Sequence, residues 1–227
     1  TGATGLGGGI YNGPGARLFT NGGAFYSNRA TGGDGGAIFN DASGGPTGRA
    51  GSIWIEGGTT LEHNWASRGG AIFNNTASSS GLFQQATATI LAGSNFQFNH
   101  AIGSANNGGR GGAVFNLGYL TATGVYFGYN TSSKEGGVLF NAIVHSVAST
   151  VLFENSILEY NEAKSANQGR GGAIYVRDGR VSLVSNNTVR WNTAAFLGRG
   201  IARAAQPGDR GVGSSHESLR HGDHAAP

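Results

Sequence analysis

Residues 68–75, RGGAIFNN, set two glycines against a short apolar run that ends in asparagine. The phrase stands again at 34–41 as DGGAIFND and at 110–117 as RGGAVFNL. Looser copies run from Gly7 to Asn12, Gly136 to Asn141 and Gly171 to Val176, and a worn one covers Gly198 to Ile201. A second phrase alternates with the first: Gly or Asn, two residues, Phe, Leu or Val, two residues, Asn, one residue, Ala or Ser. It occupies 22–30, 58–66, 93–101, 124–132, 155–163 and 186–194. Two phrases alternating through six rounds are an internal repeat, whose units stack to bury a core that none could bury alone.

The spacing decides which repeat. Copies of the first phrase lie between 25 residues (111 to 136) and 42 residues (69 to 111) apart. In a parallel β-solenoid each strand pairs with its copy one coil away, so loops lengthen outward without disturbing the stack. The apolar cores of the phrases are too short for a helical pattern and rich in β-formers. We therefore expect an all-β fold, a right-handed parallel β-helix of about six to seven coils and roughly 30 Å length. It spans residues 1–200, followed by a flexible tail at 201–227. The corner glycines Gly35, Gly36, Gly69, Gly70, Gly111, Gly112, Gly136, Gly137, Gly171 and Gly172 supply positive φ or close backbone approach.

Composition agrees. The 227 residues include 43 Gly but only 4 Pro and no G-X-Y period, which excludes collagen. Aromatics at 10% argue against a disordered linker. The net charge of +3 is scattered, so neither nucleic acid nor an anionic membrane is an expected partner. With no Cys, disulfides and thiolate metal sites are excluded. No apolar run nears the roughly 20 residues of a membrane helix. The chain starts at Thr1 and holds no Met, and we read it as part of a longer repeat protein.

Two asparagine columns follow from the register. Asn12, Asn40, Asn74, Asn116 and Asn141 close the first phrase; Asn28, Asn64, Asn99, Asn130, Asn161 and Asn192 centre the second. Stacked amides donate to one neighbour and accept from the other, and satisfy corner groups that no strand reaches. We expect both columns to be structural ladders. Three residues before the central Asn, the column Phe25, Leu61, Phe96, Phe127, Leu158, Val189 faces the core. One residue before it stand Ser27, His63, Phe98, Tyr129, Tyr160 and Trp191. Strand parity turns this column inward; turned outward at a corner, its rings would be a sugar-binding strip.

The GGAI phrase followed by F-x-x-N resembles the repeat of polymorphic outer-membrane proteins, best known from chlamydial autotransporters. The resemblance covers roughly residues 7–200, with Leu61, Leu158 and Val189 in place of Phe. It implies a right-handed parallel β-helix, extracellular or cell-surface display, and adhesion to a host-cell or matrix surface.

Catalysis has thin support in the residues. Carbohydrate chemistry needs two carboxyl groups about 5–9.5 Å apart. Glu62 and Glu159 share an offset but lie three coils apart, about 14 Å. Glu154, Glu159 and Glu162 cluster in sequence, with no Arg or Lys expected at a matching offset. The column Asp34, Arg68, Arg110, Glu135, Arg170 predicts ion pairs between coils. Arg68 and Arg110 are the side chains on offer to an acidic glycan, and Glu159 is read with them as ligand-facing. His216, His221 and His224 belong to the tail, and no metal or cofactor is expected. Asn74, Asn130 and Asn186 begin glycosylation sequons. The expected function is a non-catalytic adhesin or scaffold; a carbohydrate-active enzyme of the pectin-lyase type is the alternative.

Overall fold

Each Gly-Gly phrase ends in a three-residue strand, and these strands stack in parallel with like residue over like. Ile10–Asn12, Ile38–Asn40, Ile72–Asn74, Val114–Asn116, Leu139–Asn141, Ile174–Val176 and Ile201–Arg203 form a seven-stranded sheet. In the computed structural model, residues 5–43, 49–79, 82–103, 108–144 and 148–204 are described. The expected tail beyond 204, with its three histidines, lies outside them. Ile201–Arg203 pairs with Ile174–Val176 and so carries the solenoid past the expected boundary at 200.

Three further faces complete each coil. The second joins Arg17–Asn21, Ser52–Glu56, Thr87–Ile90, Tyr119–Thr123, Thr150–Glu154 and Arg180–Val184. The third joins Ala24–Tyr26, Thr60–Glu62, Asn95–Gln97, Tyr126–Gly128, Ile157–Glu159 and Thr188–Arg190. The fourth is built of two-residue strands, from Trp65–Ala66 to Thr193–Ala194, with Arg29 bridged to Trp65 in the first coil. Every pairing in these four sheets is parallel; the one antiparallel pair among the described residues is a hairpin of Thr76–Ser79 and Leu82–Gln85, in the segment between Ile72–Asn74 and Thr87–Ile90. Extra chain goes outward, as unequal repeats require. The result is an all-β parallel solenoid of about six turns, without helix among the described residues.

The inward columns make one continuous core. Leu61, Phe96, Phe127 and Leu158 are 0% exposed, as are Ile38, Ile72, Leu139 and Ile174 on the first face. The first sheet is also covered on its outer side. Phe39, Phe73, Phe115, Phe140 and Tyr175 form a second buried column, with rings stacked at 4.8–5.7 Å. The Arg68 guanidinium lies 4.9 Å from the Phe73 ring centre and 5.2 Å from that of Phe115; Arg110 covers Phe140 at 5.2 Å.

Both expected uses of glycine occur: the first member of each pair is left-handed, and neither member has room for a side chain. Gly35, Gly69, Gly111, Gly136 and Gly171 have φ of 61–67°. Their partners Gly36, Gly70, Gly112, Gly137 and Gly172 leave no room for a side chain: a Cβ there would lie 1.9–2.1 Å from a backbone oxygen of the next coil. The first slot of the second phrase is left-handed throughout, in Gly22, Gly58, Gly93, Gly124, Asn155 and Asn186.

Candidate functional site

The two asparagine columns are ladders. Along the central row each Nδ2 donates to the Oδ1 of the next coil at 2.9–3.0 Å, from Asn28 through Asn64, Asn99, Asn130 and Asn161 to Asn192. The same Oδ1 accepts the main-chain N–H of the preceding Asn, at 2.9–3.1 Å. The second row, Asn12, Asn40, Asn74, Asn116 and Asn141, is linked at 2.7–2.9 Å. Asn64, Asn99, Asn130 and Asn161 are 0% exposed, so the amides carry hydrogen bonds that water cannot supply. Of the three sequon asparagines, Asn74 and Asn130 are buried in these ladders and Asn186 is exposed.

The charged column also pairs coil to coil. Arg68 Nε donates to Asp34 Oδ1 at 2.8 Å, and Glu135 accepts from Arg110 at 2.6 Å and Arg170 at 3.2 Å. Glu159, 9% exposed, accepts from Arg190 Nε at 2.7 Å and from the Tyr126 hydroxyl at 3.1 Å. Burial, and then this bond to Glu159, pushes the Tyr126 phenol up to about 12. Arg190 corrects the expectation that no basic residue matches the acids in offset: it is the register partner of Glu159. Arg68, Arg110 and Glu159 thus spend their charge on neighbouring coils. Glu154, Glu159 and Glu162 lie on the second, third and fourth faces, so closeness in sequence does not gather them into one cleft. Asp41 is the remaining buried acid among the described residues. Burial raises its pKa, but bonds from the Ser43 hydroxyl, the Tyr11 hydroxyl, the Ser43 N–H and Asn75 more than offset this and hold it below the usual value.

The aromatic column reverses its expected orientation. Ser27, His63, Phe98, Tyr129, Tyr160 and Trp191 all have φ between 51° and 56°, in the left-handed region. Such a residue bends the chain, so alternation does not carry across it: two successive side chains point out before Asn turns in. Phe98 is 36% exposed, Tyr129 and Tyr160 40% and Trp191 56%. The rings of His63, Phe98, Tyr129, Tyr160 and Trp191 stack in four steps of 4.9–5.0 Å, making a strip about 20 Å long on the solenoid's outer corner. Arg190 covers the last ring at 4.0 Å, and Tyr26 meets His63 edge-on at the other end. Ser27 and His63 were the legible warning, since a core column would not start with a hydroxyl and an imidazole.

Holding each non-glycine residue left-handed costs about 1–2 kcal/mol. Each stacked pair returns about 0.5–1.5 kcal/mol. The corner itself does not need a ring, because Ser27 makes the same turn in the first coil.

A second outward row runs beside the strip, one residue past the ladder: Arg29, Trp65, His100, Thr131, Glu162 and Thr193. Trp65 and His100 touch at 4.5 Å between ring centres, and His100 bonds to Thr131 at 2.6 Å. Burial, then the charges of Lys164 and His63, lower the His100 pKa. Between the rows lies an open depression of about 210 Å³, lined by Ser27, Arg29, His63 and Trp65. The described residues contain no cluster of three or more His, Cys, Asp or Glu placed to hold a metal. No helix among them is long and apolar enough to cross a membrane. Compared with known proteins, the chain matches no family model, no curated protein and no solved structure.

Proposed function

We propose that this chain is a non-catalytic β-solenoid segment of an extracellular or cell-surface protein, and that it adheres to glycan or matrix through its aromatic corner. The observation that carries this reading is the strip itself. Five rings are held in register on the exposed corner, at left-handed positions where Ser27 shows that a small polar residue suffices. A contiguous exposed apolar strip is the mark of a contact site. The engagement of Asp34, Glu135 and Glu159 by arginines supports a scaffold over an enzyme. So does the resemblance of the repeat to polymorphic outer-membrane proteins, with their surface display.

The test replaces Phe98, Tyr129 and Tyr160 with Ser, the residue that already makes this corner at position 27. Binding of the wild-type and triple-variant chains to immobilised glycans, matrix proteins and cells is compared, with circular dichroism confirming the fold. Retained structure with lost binding is expected. Release of reducing ends or unsaturated products from a uronate polymer, abolished by Glu159→Gln, would instead establish the pectin-lyase-type alternative.

A further inference from the structure

Most ring faces on the corner are unavailable to a ligand because the next coil's ring covers them. Trp65 is different. One face of its indole leans on His100, at 4.5 Å and a tilt of 48°. Toward the first coil its register partner is Arg29, and no described ring or guanidinium covers that side. Beside it the strip is interrupted: Ser27 has no ring to lay over His63, and the resulting depression is the one lined by Ser27, Arg29, His63 and Trp65. Trp65 is 39% exposed, and Arg29, also exposed, makes no ion pair among the described residues.

From this arrangement we infer a binding subsite for one anionic sugar residue of an acidic polysaccharide, a hexuronate or a sulfated pyranose. The apolar C–H face of the pyranose lies on the free indole face of Trp65. Its rim hydroxyls meet the Ser27 hydroxyl and the His63 imidazole, groups that both donate and accept. The carboxylate or sulfate takes the Arg29 guanidinium, whose fork of N–H donors matches two anionic oxygens at once. A flat apolar face rimmed by hydrogen-bonding groups suits a sugar ring better than a peptide side chain. The anchoring cation separates an acidic polymer from a neutral glucan. The subsite rests on the reading of the corner as a contact surface and gives that surface a ligand class at its first-coil end.

Isothermal titration of the whole chain tests it with four probes: oligogalacturonate, a sulfated glycosaminoglycan fragment, a neutral gluco-oligosaccharide and poly-glutamate. Saturable binding of one or both anionic sugars is expected, with the pair identifying carboxylate or sulfate as the recognised group. Arg29→Gln should weaken it about tenfold, the loss of a charge-assisted contact, and Trp65→Ala at least as much. Arg180→Gln, at an exposed arginine on the second face, should leave it unchanged. Equal binding of the neutral sugar or of poly-glutamate overturns the assignment, and so does affinity unaffected by Arg29→Gln. If the strip variant loses adhesion while Arg29→Gln changes nothing, the subsite falls and the adhesive corner stands. If neither substitution alters binding, both fall.

Discussion

At the scale of single residues, the decisive feature is a backbone angle. Tyr129 sits at φ 56° between the rings of Phe98 and Tyr160. Glycine relieves the strain there and forfeits two stacking contacts, whereas valine forfeits the stacking and adds a β-branch that the left-handed region tolerates badly. Tyr129→Gly should shift stability by no more than about 1 kcal/mol, and Tyr129→Val should destabilise by about 2 kcal/mol or more. Urea denaturation of the two variants checks the order, which an inward-facing Tyr129 would reverse. The asparagines make a second case. Asn130→Ala takes the partner from the Asn99 main-chain N–H and the side-chain donor from the Phe96 carbonyl, both buried, and removes one of the two donors to the Asn161 Oδ1. At about 1–3 kcal/mol for each unsatisfied group, a loss of roughly 3–5 kcal/mol is expected. Asn28→Ala, at the half-buried end of the row, should cost about 1 kcal/mol by the same measure. The ladder was legible because asparagine recurs at a fixed offset. The strip's direction was not, because parity counts residues and is blind to a reversed φ.

Among elements, the corner glycines set how closely coils approach. A Cβ on Gly137 would stand 2.0 Å from the Gly172 carbonyl oxygen, and backbone cannot yield as a side-chain tip can. At Gly23 a Cβ meets nothing within 4 Å, and only the φ of 85° opposes it. Gly137→Ala should therefore destabilise by more than about 3 kcal/mol, the range of severe core disruption. Gly23→Ala should cost about 1–2 kcal/mol. Thermal melts of the pair separate steric exclusion from conformational preference. The Gly-Gly phrase announced a corner, and the sequence could not say which glycine is left-handed. The second buried column was also beyond sequence reading. Phe39, Phe73, Phe115 and Phe140 alternate out of the first sheet, where Leu117 and Ala142 just past the strands and the arginines over the rings pack against them.

Across the whole molecule, burial falls toward both ends. Phe153 and Leu158 are 0% exposed, while Leu183 and Ile201 in the final described coil are 38% and 39% exposed. A stack whose units touch only their neighbours loses its outer coils first. Amide hydrogen exchange should be slowest in Asn95–Gln97 and Tyr126–Gly128 and fastest in Ala24–Tyr26 and Thr188–Arg190 of the same sheet. Uniform protection along that sheet would contradict a nearest-neighbour stack. The sequence revealed the stack because every coil repeats the same two phrases. The corner depression was hidden, since it arises where Ser27 leaves the aromatic row without a ring, beside Arg29 and Trp65 in the next row.

The most direct test of coil-over-coil register with an outward strip uses the native tyrosines. Tyr129 and Tyr160 are 31 residues apart in sequence, yet their rings stand 4.9 Å apart and both are 40% exposed. Photo-oxidation of the dilute chain, followed by mass mapping of the monomer, should recover a dityrosine joining peptides that contain Tyr129 and Tyr160. Tyr160→Phe should abolish it. A monomer that couples other tyrosines and never this pair would contradict the register, the outward corner and the function proposed for it.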